Sequence, residues 1–180
     1  MHPRTEELLR HLDVNRIALR EAVDAIPPDL HETRPGPDRW SVAEVLEHLD
    51  RAERRLTHLF TTRLAEARAA GLEPERDTSS IVDTIDHDVL LDRGRRISAG
   101  EHVLPRGELD SSAAWTALEE ARQRLRELVL AYDGLAIGTV TQAHPVLGTL
   151  GAGQWFAFLG SHEARHAAQI REIGEALGAT

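Results

Sequence analysis

The sequence of 180 residues contains no cysteine and no lysine. Without cysteine, the chain has no disulfide, no thiolate nucleophile, no iron–sulfur cluster and no cysteine-ligated zinc site. Without lysine, it cannot be a Schiff-base enzyme, a pyridoxal-phosphate enzyme or a P-loop ATPase, because those chemistries need a lysine amine. Carboxylates, hydroxyls and ten histidines are the groups left to carry any reaction.

Long apolar runs and an excess of positive charge are also missing. No stretch of about 18 apolar residues is present, and the charged N-terminus lacks the apolar core of a signal peptide. The formal net charge is -9 at pH 7. Such an acidic chain is a poor partner for nucleic acid or an anionic membrane. We therefore expect a cytoplasmic protein that binds neither nucleic acid nor membrane.

Apolar residues recur at steps of three and four in several segments, which predicts amphipathic helices. The predicted helices span about residues 4–26, 41–71, 110–132 and 151–177. Pro27-Pro28 stops the first helix, and Ser41 with Glu44 forms a capping box at the start of the second. Gln154 stands three residues after Gly151, as in a weakened form of that box. The pattern predicts an all-α protein built as a four-helix bundle.

Two long connections follow the second and third of these helices. Residues 72–110 form a long polar connection with a short helix expected around residues 81–91, and residues 133–151 form a second connection. A tight antiparallel hairpin needs only about 2 to 8 residues, so the first connection predicts a crossover with the second and third helices parallel. Strands are not expected elsewhere, and residues 140–146 are the one place for a short extended segment. We expect a single domain over residues 1–180.

The fourth predicted helix carries the sequence HEARH at residues 162–166. His162 and His166 lie near the centre of its apolar stripe, where buried imidazoles need hydrogen-bond partners or a metal ion. The stripe also contains Trp155, Leu159, Ile170, Ile173 and Leu177. Histidines at positions i and i+4 point the same way and can chelate one ion, although two core histidines bonded to neighbouring side chains are the alternative.

HEARH also matches the H-E-x-x-H motif of zincin metalloproteases, but the rest of that motif is missing. Gln169 and Glu172 stand where the longer motif places its glycine and third histidine, and the chain ends soon afterwards. A third ligand must therefore come from upstream. His48 is the geometric candidate, because it lies in a predicted helix and borders an apolar seam. His87 and His144 are the alternatives.

Two segments resemble the DinB/YfiT-like superfamily. They are RWSVAEVLEHL in the second helix and AHPVLGTLGAGQWFAFLGSHEARHAAQIREI before and within the fourth. The resemblance implies a four-helix bundle with a divalent metal, zinc or nickel, held by His48, His162 and His166. It also implies that Gln169 supports the site by packing or by a hydrogen bond to a ligand. Gly151 departs from the family pattern, which often has Thr or Ser there.

Characterised members of that superfamily include thiol-dependent transferases and isomerases, and many others are described only as metal-dependent hydrolases. The resemblance therefore implies a metal-dependent hydrolase or a thiol-dependent S-transferase with a low-molecular-weight thiol as cosubstrate. Glu163 is the candidate general base, although a solvated Glu163, or one salt-bridged to Arg165 or Arg55, is the alternative. The competing class is a non-enzymatic module, either a metal-stabilised homodimer or a ligand sensor.

Overall fold

The computed structural model describes residues 1–94 and 100–179. The chain is mostly helical, as predicted, with five α-helices and one short β-hairpin among these residues. The helices are α1 (Pro3–Asp24), α2 (Val42–Ala69), α3 (His87–Leu91), α4 (Ser111–Ala131) and α5 (Ala152–Leu177). The strands are β1 (Thr141–His144) and β2 (Gly148–Gly151). Short 3-10 helices occur at Pro28–Leu30, Val82–Thr84, Glu101–Val103 and Ile137–Thr139.

The long helices α2, α4 and α5 begin at side-chain capping contacts. The Ser41 hydroxyl accepts the Glu44 N–H, and the Glu44 carboxylate accepts the Ser41 N–H in return. Asp110 caps α4 by accepting the Ala113 N–H. At α5, the Gln154 side chain accepts the N–H of Gly151. Each of these contacts satisfies a backbone donor that the first helical turn leaves without a partner.

The long helices pack in pairs, α1 along α5 and α2 along α4, and α2 also contacts α5. Their apolar stripes meet in two buried clusters, to which each long helix contributes side chains. One cluster contains Leu12, Phe60, Leu125 and Phe156. The other contains Leu19, Leu46, Leu118 and Ile170. This apolar burial is the main favourable contribution to the free energy of folding.

The hairpin between α4 and α5 goes beyond the sequence prediction. β1 lies inside the predicted extended segment, but the pattern did not indicate β2, which pairs with it antiparallel. The four residues of β2 include two glycines, so its strand propensity is low. Pairing with β1 and burial of Leu150 stabilise it nonetheless. Gly148 sits at the turn with φ 77°, a conformation that favours glycine.

Local capping contacts shape the described part of the long connection at residues 72–110. Its residues 95–99 lie outside the described part of the chain. The predicted short helix is present as the 3-10 turn at residues 82–84 followed by α3. Asp86 caps α3 by accepting the Val89 N–H, and the His87 ring bonds to the Val82 carbonyl. None of the described helices combines the length and the apolar character needed to cross a membrane.

Candidate metal centre

Three imidazoles from two helices converge at one point between α2 and α5. His162 and His166 lie one turn apart on α5, and His48 faces them from α2. The Nε2 atom of His162 is 3.3 Å from that of His48 and 3.0 Å from that of His166. One potential ligand atom from each ring lies within 4.8 Å of the other two, so this group could hold a metal ion.

These spacings suit one shared ion. Two nitrogens about 2.0 to 2.1 Å from an ion lie about 3.3 to 3.4 Å apart at the tetrahedral angle and about 2.8 to 3.0 Å apart at a right angle. The two measured Nε2 separations, 3.3 and 3.0 Å, fall at these values. Without a proton or a cation between them, lone pairs this close would repel each other. The three residues therefore fit a divalent metal.

Hydrogen bonds at the opposite ring nitrogens orient two of the candidate ligands. The His48 Nδ1 is 2.7 Å from the carbonyl oxygen of Val103, to which it donates its proton. The His166 Nδ1 is 2.8 Å from the Gln169 side-chain oxygen and donates to it in the same way. With the proton on Nδ1, each neutral ring presents the Nε2 lone pair to the centre.

Burial also keeps these rings in the form that binds metal. His48 and His166 are 3% and 6% exposed, and His162 is half-buried. Burial lowers the pKa of His48, and it lowers the pKa values of His162 and His166 well below their ordinary range, with the neighbouring imidazoles adding to the effect. All three rings are therefore neutral near pH 7, as metal ligands must be.

A model of the DinB superfamily matches residues 11–170. The chain belongs to the DinB superfamily. This confirms the resemblance that the second and fourth predicted helices indicated. A curated relative, the uncharacterised protein YuaE of Bacillus subtilis (strain 168), is 26% identical over 145 residues, which cover 80% of this chain and 83% of the relative. No solved structure matches the chain.

Aromatic rings pack around the histidines of this DinB superfamily protein. The Phe158 ring stacks on His162 with a centroid distance of 5.2 Å and an interplanar angle of 18°. The Trp40 ring lies 5.0 Å from that of His48. Phe158 is 9% exposed. These rings restrict the rotamers of two candidate ligands and keep water from one side of the centre.

The long connection supplies a contact that sequence patterns did not reveal, the Val103 carbonyl against His48. Residues on both sides of it are anchored to the helices. Glu47 of α2 is 3% exposed, and its carboxylate accepts the N–H groups of Arg106 and Gly107 at 3.0 and 2.8 Å. Arg165 of α5 donates to the carbonyl of Leu90 at 2.9 Å. The described part of this connection therefore contacts the histidine cluster and is held against the helices that carry it.

Glu163, the candidate general base, lies in an ion-pair network. Its Oε1 accepts hydrogen bonds from Arg16 at 2.6 and 3.0 Å, and it lies 2.9 Å from an Arg122 nitrogen. Its Oε2 is buried and has no hydrogen-bond partner in the described part of the structure. Arg122 also pairs with Glu53 at 2.7 Å. The sequence predicted a salt bridge as the alternative for Glu163, with Arg165 or Arg55 as its partner. A salt bridge is present, but its described partners are Arg16 and Arg122.

The two alternative third ligands lie in other environments. The Nδ1 of His144 accepts the N–H groups of Val146 and Leu147 at 3.1 Å, and its ring packs against Phe158. The Nδ1 of His87 is 3.3 Å from the hydroxyl of Ser161. The three-residue group that could hold a metal includes neither of them.

The hydrogen bond between Gln169 and the Nδ1 of His166 can be tested by substitution. Replacing Gln169 by Leu removes the acceptor for the Nδ1 proton of His166, so that this ring loses its fixed orientation. Loss of such a contact costs about 10- to 100-fold in metal affinity. We expect a loss of that size for zinc, measured by competition with a chromophoric chelator. Gln123→Leu, at an exposed position on α4, is the matched control and should leave the affinity unchanged.

Proposed function

We propose that this DinB superfamily protein binds one divalent metal ion, zinc or nickel, through the Nε2 atoms of His48, His162 and His166. The observation that carries the proposal is the convergence of the three Nε2 atoms at 3.0 and 3.3 Å. The acceptors that Val103 and Gln169 provide for the Nδ1 protons support it further. Elemental analysis of protein purified without an affinity tag tests it. About one equivalent of zinc or nickel is expected, as for a single three-histidine site.

We further propose that the metal serves a reaction on a small-molecule substrate, as a hydrolase or as a thiol-dependent S-transferase. Among the described residues, no fourth ligand joins the three histidines. Three histidine ligands with an open fourth position are typical of catalytic centres, whereas structural sites close that position. A divalent ion bound there would supply Lewis-acid activation, either of water or of a low-molecular-weight thiol. The protein's part is to hold three neutral imidazoles in fixed orientations and to exclude water behind them.

Two neighbouring side chains have different parts in this proposal. Gln169 orients His166, as its 2.8 Å contact with the Nδ1 indicates. A general-base role for Glu163 stays a prediction. Because Oε1 is taken by guanidinium donors, that role would require the buried Oε2 to exchange a proton with the substrate.

A non-enzymatic role, as a metal-stabilised homodimer or a ligand sensor, is the second candidate. One observation favours it. The polar contacts of His48 and His166 outside the cluster are to a backbone carbonyl and an amide oxygen, and neither is to a carboxylate. A centre without a committed acid or base can bind a metal and a ligand without turning the ligand over.

For the architecture, we propose one four-helix bundle in a single domain, with residues 72–110 crossing over between parallel helices α2 and α4. The contacts between α2 and α4 support this topology. Glu53 pairs with Arg122, and further along both helices Arg68 donates to the carbonyl of Ala131 at 2.7 Å. Contacts thus advance in the same direction along the two helices, as parallel neighbours require.

Cobalt substitution separates a catalytic centre from a closed structural one. We expect the metal-free protein to stay helical and to unfold cooperatively, because the apolar clusters hold the helices without the ion. The visible spectrum of the cobalt form should change when azide or a small thiol is added, since the ion keeps an exchangeable position. His162→Ala protein treated with cobalt is the control for non-specific binding.

The opposite experimental result would exclude an enzymatic role for the metal. A cobalt spectrum that no added ligand alters, together with a metal-free protein that unfolds outright, describes a structural site whose ion contributes folding free energy.

A further inference from the structure

Each of the four long helices places one charged side chain in the middle of the core. Arg16 comes from α1, Glu53 from α2, Arg122 from α4 and Glu163 from α5. They are 9%, 2%, 4% and 1% exposed, in that order. Arginine and glutamate are almost never buried to this degree unless they are paired. We refer to these four residues as the arginine–glutamate quartet.

The quartet is closed by contacts across all four helices. Arg122 bridges the two glutamates, with its Nε 2.7 Å from Glu53 and a terminal nitrogen 2.9 Å from Glu163. Arg16 bridges the same two carboxylates, at 2.6 Å to Glu163 and 3.4 Å to Glu53. Both arginines also donate to backbone carbonyls, at Leu118 and Leu12. The two buried cations thus face two buried anions, and Arg16 also pairs at 2.7 Å with the half-exposed Glu119 at the edge of the network.

The two glutamates of the quartet lie close in sequence to the three histidines. Glu53 follows His48 by five residues on α2, which corresponds to about 7.5 Å along the helix axis. Glu163 directly follows His162 and precedes His166 by three residues. The bridge from Glu53 through the arginines to Glu163 therefore joins the same two helices that supply the metal ligands, within about two turns of those ligands.

Apolar packing and buried ion pairs restrain neighbouring helices differently. Apolar cores tolerate exchanges among side chains of similar volume and lose their unique arrangement before they lose stability. A buried ion pair is stricter, since a shift that separates the partners leaves a charge uncompensated in the interior. A metal centre needs its donor atoms within about 0.5 Å of their positions.

We propose that the arginine–glutamate quartet is a positioning device for the metal centre, fixing the rotation and axial register of α2 against α5 so that the three Nε2 atoms converge. This inference rests on the proposed metal-binding function. It adds a role for four residues that do not touch the metal. Glu163 then acts as a positioning residue through His162 and His166.

The test replaces the whole quartet by apolar side chains of similar size, with Arg16→Met, Glu53→Leu, Arg122→Met and Glu163→Leu combined. Replacing a buried ionic network completely is often neutral or stabilising, so the variant should keep its helix content and thermal midpoint. Its zinc affinity should fall at least tenfold, and its cobalt spectrum should change in band position. The alanine pair Glu120→Ala with Arg124→Ala, an exposed salt bridge on α4, is the matched control and should match the parent in both.

A second readout needs no metal. In nitrogen-15 spectra of the metal-free parent, the imidazoles of His48 and His166 should show the Nδ1–H tautomer with slowly exchanging protons. In the quartet variant, those signals should broaden or show mixed tautomers while the thermal midpoint is preserved. If the four-residue variant fails to fold, the pair Arg16→Met with Glu163→Leu, which leaves the Glu53–Arg122 pair intact, is measured in the same two ways.

The outcomes separate the two proposals. Parental zinc affinity, cobalt spectrum and imidazole signals in the folded variant would overturn the positioning role, with metal binding itself left standing. A parent that binds no metal would overturn the proposed function. In that case the imidazole spectra still decide whether the quartet orders the histidines.

Discussion

Replacing His48, His162 or His166 singly by Ala should leave the purified protein without stoichiometric divalent metal. Removing one of three ligands leaves a two-nitrogen chelate. We expect metal affinity to drop by more than about 100-fold, beyond the loss seen when only a supporting contact is removed. Elemental analysis of the three variants, each with circular dichroism to show that the helices persist, is the measurement.

The matched control is His58→Ala, which alters an exposed histidine on the same helix as His48. Its metal content should equal that of the parent. A His48→Ala protein that retains full metal would contradict the three-histidine centre. The third ligand would then lie elsewhere on the chain, with His144 and His87 as the next residues to replace.

The histidine cluster could be predicted from the sequence because helical periodicity determines which side chains lie on the same face. His162 and His166 are four residues apart on an apolar stripe, so their convergence follows from the helix itself. His48 required a packing assumption, that the shoulder of α2 faces α5. The structure places its Nε2 3.3 Å from that of His162. The contact with Val103 could not be foreseen, because it comes from irregular backbone that has no period.

The arginine–glutamate quartet could also be detected in the sequence, although the spacing of apolar residues alone does not indicate it. Each member stands four residues after a leucine of its helix's apolar stripe. These leucines are Leu12, Leu49, Leu118 and Leu159. One charged residue in the stripe of every helix, two of each sign, predicts mutual pairing in the core. Periodicity could not show which arginine meets which glutamate, because that depends on the relative heights of the helices.

Replacing Arg122 alone by Met should destabilise the protein strongly, in contrast to replacing the whole quartet. Two carboxylates, Glu53 and Glu163, would remain buried with only Arg16 to compensate them, and the carbonyl of Leu12 would lose its 2.9 Å donor. Breaking a buried pair from one side costs about 3 to 5 kcal/mol. For a chain of this size that lowers the thermal midpoint by about 6 to 20 °C.

The loss of unfolding free energy caused by Arg122→Met should also depend on pH. Burial raises the pKa of Glu53, and the guanidinium of Arg122 opposes that rise in the parent. Without Arg122 the Glu53 pKa rises further, so the folded variant binds a proton that the parent does not. The loss of unfolding free energy should therefore be smaller at pH 5 and larger at pH 8. Urea unfolding at both values measures it.

Arg124→Met is the control for this prediction, because Arg124 pairs with Glu120 on the exposed face of the same helix. An exposed pair contributes about 0 to 1 kcal/mol, so this variant should unfold close to the parent at both pH values. Equal unfolding free energies for Arg122→Met and Arg124→Met would mean that the buried network contributes no more than a surface pair. That result would contradict the expected cost of leaving two buried carboxylates with one cation.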